Sequence, residues 1–271
     1  MDVMNYELKD KVAFVTGSGR GLGRAIAERL AELGAHVAIH DLSEEAPAKY
    51  GESPNLQAVA EEIRRHGTRV IAVSGNIGDE AAVRRMAEII HGEFGPLDIL
   101  VNCAGGDIGA QGTKPQPNNA LEIPLEDVQA LINNNFIGTL LVCRAFCPKM
   151  LERRRGSVVN IASVAAHFGT SPEVMYSSIK AAIVHFTRCL AFEFRPQGVR
   201  VNAVSPGPTK TARFKATRKL SPEMMEEAGN LNRYGNPTEI ADAVAFLAGD
   251  AARFVHGQIL RVDGGLSLYA G

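Results

Sequence analysis

The sequence predicts an α/β fold: one open, doubly wound sheet of about seven parallel strands, flanked by helices, in a single domain over residues 1–271. Three observations carry this. Short β-branched runs alternate with helical patterns along most of the chain, which calls for right-handed βαβ crossovers. Those runs carry few charges, as strands buried on both faces do. The first run leads straight into a cluster of glycines ahead of an Ala-rich helix.

Taken in order, strands are expected at 12–15, 37–39, 70–73, 99–101, 158–161, 199–204 and 258–262. Helices are expected at 23–33, 56–66, 81–94, 125–150, 175–194 and 238–248. No repeat, low-complexity tract or linker interrupts the alternation, and the length suits one large domain. The charges nearly cancel, 29 Lys and Arg against 30 Asp and Glu. That balance supplies no basic field and argues against a nucleic-acid partner. Residues 1–6 lack the basic start and apolar run of a signal peptide. No apolar run approaches the ~18 residues of a membrane span, so a cytoplasmic protein with no membrane partner is expected. Cys103, Cys143, Cys147 and Cys189 have no metal spacing around them and are expected as reduced, buried thiols, with no metal site.

The glycine cluster reads Thr16, Gly17, Ser18, Gly19, Arg20, Gly21, Leu22, Gly23. Glycines between a first strand and a helix allow a tight turn, close approach to a phosphate, and helix packing on the sheet. The helix end then offers amides to a pyrophosphate. About twenty residues on, Asp41 ends the second strand, where a carboxylate accepts from a ribose diol and repels a 2′-phosphate. That favours NAD over NADP, although Arg20 in the turn is a counter-signal. Tyr176 and Lys180 are four apart and share a helix face. A nearby cation favours the phenolate, which makes Tyr176 a candidate general base or acid. Ser163 follows the strand at 158–161, at the carboxyl edge where open α/β sheets place ligands.

In these residues the chain resembles the short-chain dehydrogenase/reductase family, over nearly its whole length. The family's TGxxxGxG turn is similar to residues 16–23, and its catalytic spacing to Ser163, Tyr176 and Lys180. Asn135 resembles its fourth catalytic residue, and residues 206–211 its PGxxxT segment. The resemblance implies a Rossmann-like domain that interconverts a secondary alcohol and a ketone, with hydride passing to or from a nicotinamide. Tyr176 would move the proton, Ser163 bond the substrate oxygen, Lys180 lower the Tyr176 pKa and contact the ribose, and Asn135 hold a relay water in a kinked helix. It implies a cofactor site of Gly17, Ser18, Gly19, Arg20, Gly21, Leu22, Gly23, Asp41, Leu42, Asn76, Ile77, Asn102, Ala104 and Gly105. Tyr176, Lys180, Pro206, Gly207, Thr209 and Thr211 complete it. It also implies a homotetramer or homodimer, and a substrate loop or lid around 208–235.

Departures from the family pattern are Cys103 in place of the second Asn of NNAG, and Asn76 in place of an Asp. The connections at 42–55 and 106–124 are long. The polar, aromatic-free stretch 106–119 favours a small alcohol or ketone such as a sugar or polyol. The cations Lys210, Arg213, Lys215, Arg218 and Lys219 read as a solvated lid or as a welcome for an acidic substrate. Two alternatives stand beside the NAD-dependent enzyme: an NADPH-dependent 3-oxoacyl-(acyl-carrier-protein) reductase, and a non-catalytic dinucleotide-binding sensor or scaffold.

Overall fold

The structure is a computed structural model that describes residues 8–226 and 229–268. Residues 1–6, on which the absence of a leader was read, lie outside them, as do two residues of the expected lid.

Seven parallel strands form one sheet in the order β3-β2-β1-β4-β5-β6-β7. They are β1 (Val12–Val15), β2 (His36–Asp41), β3 (Val70–Ser74), β4 (Ile99–Asn102), β5 (Ser157–Ile161), β6 (Arg200–Pro206) and β7 (Ile259–Val262). Period-two alternation sends Ala13 and Val15 to one face and Val12 and Phe14 to the other. The first face packs on helices α1 (Gly21–Glu32), α2 (Leu56–Arg64) and α9 (Pro237–Ala248) through Ile26, Leu30, Val59, Ile63 and Val244. The second packs on α3 (Glu80–Phe94), α5 (Gly138–Arg153) and α6 (Val174–Phe194) through Val83, Ile90, Phe146 and Phe194. The strand order reverses between β1 and β4, which opens a crevice at the carboxyl edge.

The structure differs locally from expectation in four respects. The helix expected at 125–150 is α4 (Leu125–Ile132), a π turn (Asn133–Ile137) and α5 in succession. Together they form a rod, Leu125–Arg153, that is long and apolar enough to cross a membrane by length and composition, contrary to the sequence reading. Its Val142, Phe146 and Met150 are fully buried against the sheet, so its apolar face belongs to the core. The chain after β6 also forms two short helices not foreseen, α7 (Ala212–Thr217) and α8 (Pro222–Met225). All four cysteines are free thiols, but only Cys143 and Cys147 are buried; Cys103 is half-buried and Cys189 exposed.

Candidate active site

The glycine turn is braced from three sides. Thr16 Oγ1 accepts from the backbone amides of Cys103 and Ala104, at 3.0 and 3.1 Å, which ties the turn to the end of β4. Ser18 is a buried strut: its hydroxyl donates to the Val15 carbonyl and accepts from the His40 amide. Gly17 N–H donates to His40 Nδ1 at 3.1 Å, and His40 Nε2 lies 2.9 Å from the Gly75 carbonyl. Those partners require a neutral ring protonated at Nε2, and burial holds the His40 pKa down. Sequence reading passed over His40; its place beside Asp41 at a strand end was the available signal. Gly17 sits at φ +67°, and a Cβ there would stand 2.7 Å from Ala104 Cα. A Cβ at Gly23 would collide with the Gly17 carbonyl. Close packing of backbone on backbone leaves room for nothing larger than glycine at either position.

At the β2 end of the crevice, Asp41 is buried and its Oδ1 accepts from the Leu42 amide at 2.8 Å. Its Oδ2 accepts no hydrogen bond, and the nearest cation, Arg20 Nε, is 3.8 Å away. Arg20 Nη1 is likewise buried without a partner, and its guanidinium lies over the Tyr50 ring at 5.1 Å. A buried acceptor and a buried donor left open side by side suit a ribose diol, which both gives and takes hydrogen bonds. The glycine cradle and these two atoms therefore fit a dinucleotide. Leu42 is exposed. Asn76, also exposed, accepts from Gly78 N–H at 2.8 Å, while Ile77 is buried against Gly138.

The long 42–55 connection contributes a group that the sequence did not single out. Glu52 Oε2 accepts from Gly21 N–H at 2.8 Å, on the first turn of α1. A carboxylate there takes the amide and the helix-end charge that a pyrophosphate would use. Replacing it, Glu52→Gln, is expected to tighten NADH binding about 2- to 30-fold in a fluorescence titration, the range spanned by a carboxylate at a helix end. An unchanged or weaker affinity would contradict competition at that amide.

Across the crevice stand Ser163, Tyr176 and Lys180. Ser163 caps a short 3-10 turn, accepting from Ala165 N–H at 3.2 Å. Tyr176 and Lys180 lie one turn apart on α6, with the ammonium 5.8 Å from the phenol ring. Lys180 is buried and donates to the Ile161 carbonyl at 2.9 Å. Burial brings its pKa down to about 8. Burial pushes the Tyr176 phenol up, against the opposing pull of Arg213 and a hydrogen bond with Ser163. The strongest cationic influence on Tyr176 is thus Arg213 rather than Lys180.

Asn135 lies in the π turn, buried. Its side chain accepts from Gly106 N–H at 2.8 Å and donates to the carbonyls of Gly106 and Leu131. It clamps the chain after β4 at the mouth of the crevice. Where the resemblance implies a kinked helix, the structure has a π turn. Asn102 is tied into the floor, donating to Asn160 Oδ1 at 2.9 Å.

The crevice holds about 460 Å³ and joins the two halves. Gly17, Arg20, Gly21, Leu22, Gly23, Gly105, Ser163, Tyr176, Lys180, Pro206, Gly207, Thr209 and Thr211 line it. Ser18, Gly19, Asp41, Leu42, Asn76, Ile77, Asn102, Ala104 and Asn135 are not part of that lining. Thr211 caps α7, accepting from Phe214 N–H, and its methyl is 3.5 Å from the position of a Cβ on Gly21. The 106–124 connection does reach the crevice, through Asp107, Ile108, Gly112, Thr113 and Lys114.

Comparisons with known proteins agree with this geometry. A family model described as enoyl-(acyl carrier protein) reductase matches residues 17–267. The chain is 36% identical over 264 residues to a 3-oxoacyl-(acyl-carrier-protein) reductase of Aquifex aeolicus (strain VF5), covering 97% of this chain and 100% of that one. It is 34% identical over 269 residues to a cyclohexanol dehydrogenase of Rhodococcus sp. (strain TK6), covering 97% and 98%. Among solved structures, a 7α-hydroxysteroid dehydrogenase in complex with NADH and 7-oxo glycochenodeoxycholic acid superposes with a TM-score of 0.83, at 31% identity and 96% coverage of each chain.

Proposed function

The chain belongs to the short-chain dehydrogenase/reductase family and is an oxidoreductase acting on CH–OH groups, and from that premise we propose an NAD-preferring enzyme that interconverts a small secondary alcohol and its ketone. The observation that carries the reading is convergence: Ser163, Tyr176 and Lys180 face the same crevice as the glycine turn. When bound there, a nicotinamide supplies or takes the hydride.

In this reading the residues divide the remaining work. Ser163 holds the substrate oxygen beside the phenol. Tyr176 gives its proton to that oxygen in reduction and takes it back in oxidation. Lys180, fixed by the Ile161 carbonyl, bonds a ribose hydroxyl and adds positive charge near the phenol. Asn135 keeps Gly106 in place at the mouth and holds a relay water in the opened turn. Gly17, Ser18, Gly19, Arg20, Gly21, Leu22 and Gly23 cradle the pyrophosphate; Asp41 and Leu42 take the ribose; Asn76 and Ile77 border the adenine. Asn102, Ala104, Gly105, Pro206, Gly207, Thr209 and Thr211 flank the nicotinamide half. Residues 208–235 act as a lid.

The open Asp41 carboxylate oxygen supports NAD, since it accepts from a ribose hydroxyl and opposes a 2′-phosphate. Arg20 and the identity to the Aquifex reductase support the second reading, an NADPH-dependent 3-oxoacyl-(acyl-carrier-protein) reductase. The polar wall at 106–119 supports a sugar or polyol over a long acyl chain. The enzyme is further read as a cytoplasmic homotetramer or homodimer, in which exposed Phe192, Phe254 and Leu268 would be covered. The test is a panel of sugars, polyols, hydroxy acids and ketoacyl thioesters, each assayed with both dinucleotides. Turnover of a hydroxylated small molecule is expected. Activity on the thioesters alone would transfer the assignment to the second reading.

A further inference from the structure

Among the described residues two cations of the crevice face no carboxylate: Lys180, which the Ile161 carbonyl holds, and Arg213. On the wall made by residues 106–124 and the start of α6, charges pair with one another. Lys114 Nζ is 2.6 Å from Glu173 Oε1 and 3.6 Å from Asp107 Oδ2, and Arg218 Nη2 is 2.8 Å from Glu173 Oε1. Two carboxylates there answer two cations. Arg213, on α7, has no carboxylate within ion-pair distance among the described residues. Its one hydrogen bond as donor from the guanidinium to the described residues is long, Nη1 to the Gly105 carbonyl at 3.5 Å. Yet its guanidinium is not out in solvent. It lies against Gly106 so closely that a Cβ on that residue would be 2.8 Å from Arg213 Cζ. It lines the same crevice as Ser163 and Tyr176 and is half-buried. It is also the charge that acts most strongly on the phenol.

A planar guanidinium with its donors open, in a crevice and near a reacting centre, is built to receive an anionic group. We propose that Arg213 is a specificity-determining residue that binds an anionic group of the substrate, a carboxylate or a phosphate, set a few bonds from the carbon that changes oxidation state. The preferred substrates are then small hydroxylated anions and their oxo forms, rather than neutral polyols. The assignment rests on the oxidoreductase reading above and narrows its substrate. Position sets the size: a guanidinium held at Gly106, in the crevice that Ser163 and Tyr176 also line, reaches a charge close to the carbonyl and leaves a charge at the end of a long acyl chain out of range. Gly106 takes part by having no side chain, because any Cβ would displace the guanidinium. The other lid cation near the crevice, Arg218, is engaged by Glu173.

The test compares charged ketones with neutral partners of matched shape, in NADH-dependent reduction. One arm pairs 3-oxobutanoate with 3-oxobutanamide and 4-oxopentanoate with 4-oxopentanamide. The other pairs dihydroxyacetone phosphate with dihydroxyacetone, which separates a phosphate from a carboxylate. Wild-type enzyme is expected to favour one charged member by about 10- to 100-fold in kcat/KM, the range of a charge-assisted hydrogen bond, mostly through KM. In Arg213→Gln that ratio is expected to fall to within about threefold of one, and Arg213→Lys to restore part of it. NADH affinity, titrated separately by fluorescence, reports whether each variant is folded and whether Arg213 serves the dinucleotide. Turnover of the ketones without preference for charge overturns the role of Arg213 and leaves the oxidoreductase reading standing. A ratio that survives in Arg213→Gln, or a loss of NADH affinity that matches the loss of turnover, also overturns it. Bound NADH with no turnover of any carbonyl in the set or the wider panel overturns the reading beneath it and the proposal together.

Discussion

Tyr176→Phe is expected to lower kcat by about 10²- to 10⁴-fold, the usual contribution of a positioned proton donor. The change deletes one oxygen and leaves the ring packed 5.8 Å from the Lys180 ammonium. NADH affinity is therefore expected to stay near the wild-type value, which separates lost chemistry from lost binding. The pH dependence follows from the two shifts. Burial raises the Tyr176 pKa, so at neutral pH the phenol carries its proton and is ready to serve reduction as an acid. Oxidation needs the deprotonated form, and its rate should climb with pH above neutrality. Lys180 loses its own proton above about 8, which withdraws a cation from the site and delays the Tyr176 ionisation further. Initial rates in both directions from pH 6 to 10 check this; wild-type-like turnover by Tyr176→Phe would refute the proton transfer.

Gly23→Ala is expected to weaken NADH binding about 10- to 100-fold. The new methyl would meet the Gly17 carbonyl, with the carbonyl carbon at 2.7 Å. No flexible side chain stands there to yield; the obstacle is the backbone of the glycine turn itself. Overpacking of this kind costs about 1–3 kcal/mol, and each 1.4 kcal/mol is about tenfold in affinity. Because Gly17 also donates to His40, a shift of Gly17 would be passed to the end of β2. Titration of the variant with NADH, beside a thermal unfolding curve, reads both effects. An unchanged affinity would mean that the turn relaxes freely and does not cradle the cofactor.

Much of this was legible in the sequence because it is written in local patterns. All seven strands follow from short β-branched runs, and the structure alters their ends by only one or two residues. α1 begins at Gly21, two residues before the expected start, because the glycine turn passes directly into the helix. The residue pattern at Asn133–Ile137 is helical and does not show the π turn; the family resemblance implies a kinked helix at Asn135, and only the clamp of Asn135 on Gly106 shows what the extra residue does. α7 and α8 are too short to establish a period.

In the candidate site, spacing alone brought Ser163, Tyr176 and Lys180 together. It did not reveal which cation dominates the phenol. Lys180 is four residues from Tyr176 and so looks paired with it, yet its ammonium is held by Ile161. Arg213 is 37 positions away and arrives on α7. Glu52 is hidden for the same reason: the contact of its carboxylate with Gly21 links residues 31 apart across a loop with no motif. Tertiary approach decides both, and no one-dimensional pattern reports it.

The central claim, an NAD-preferring alcohol–ketone oxidoreductase, is tested most directly by kcat/KM for NADH against NADPH with one ketone at fixed concentration. In the proposed binding mode the open carboxylate oxygen of Asp41 takes the ribose, and a like charge on a 2′-phosphate is costly there. The account predicts at least about a tenfold preference for NADH, since even 1.4 kcal/mol of repulsion gives that ratio. A preference for NADPH, with Arg20 receiving the phosphate, would contradict it.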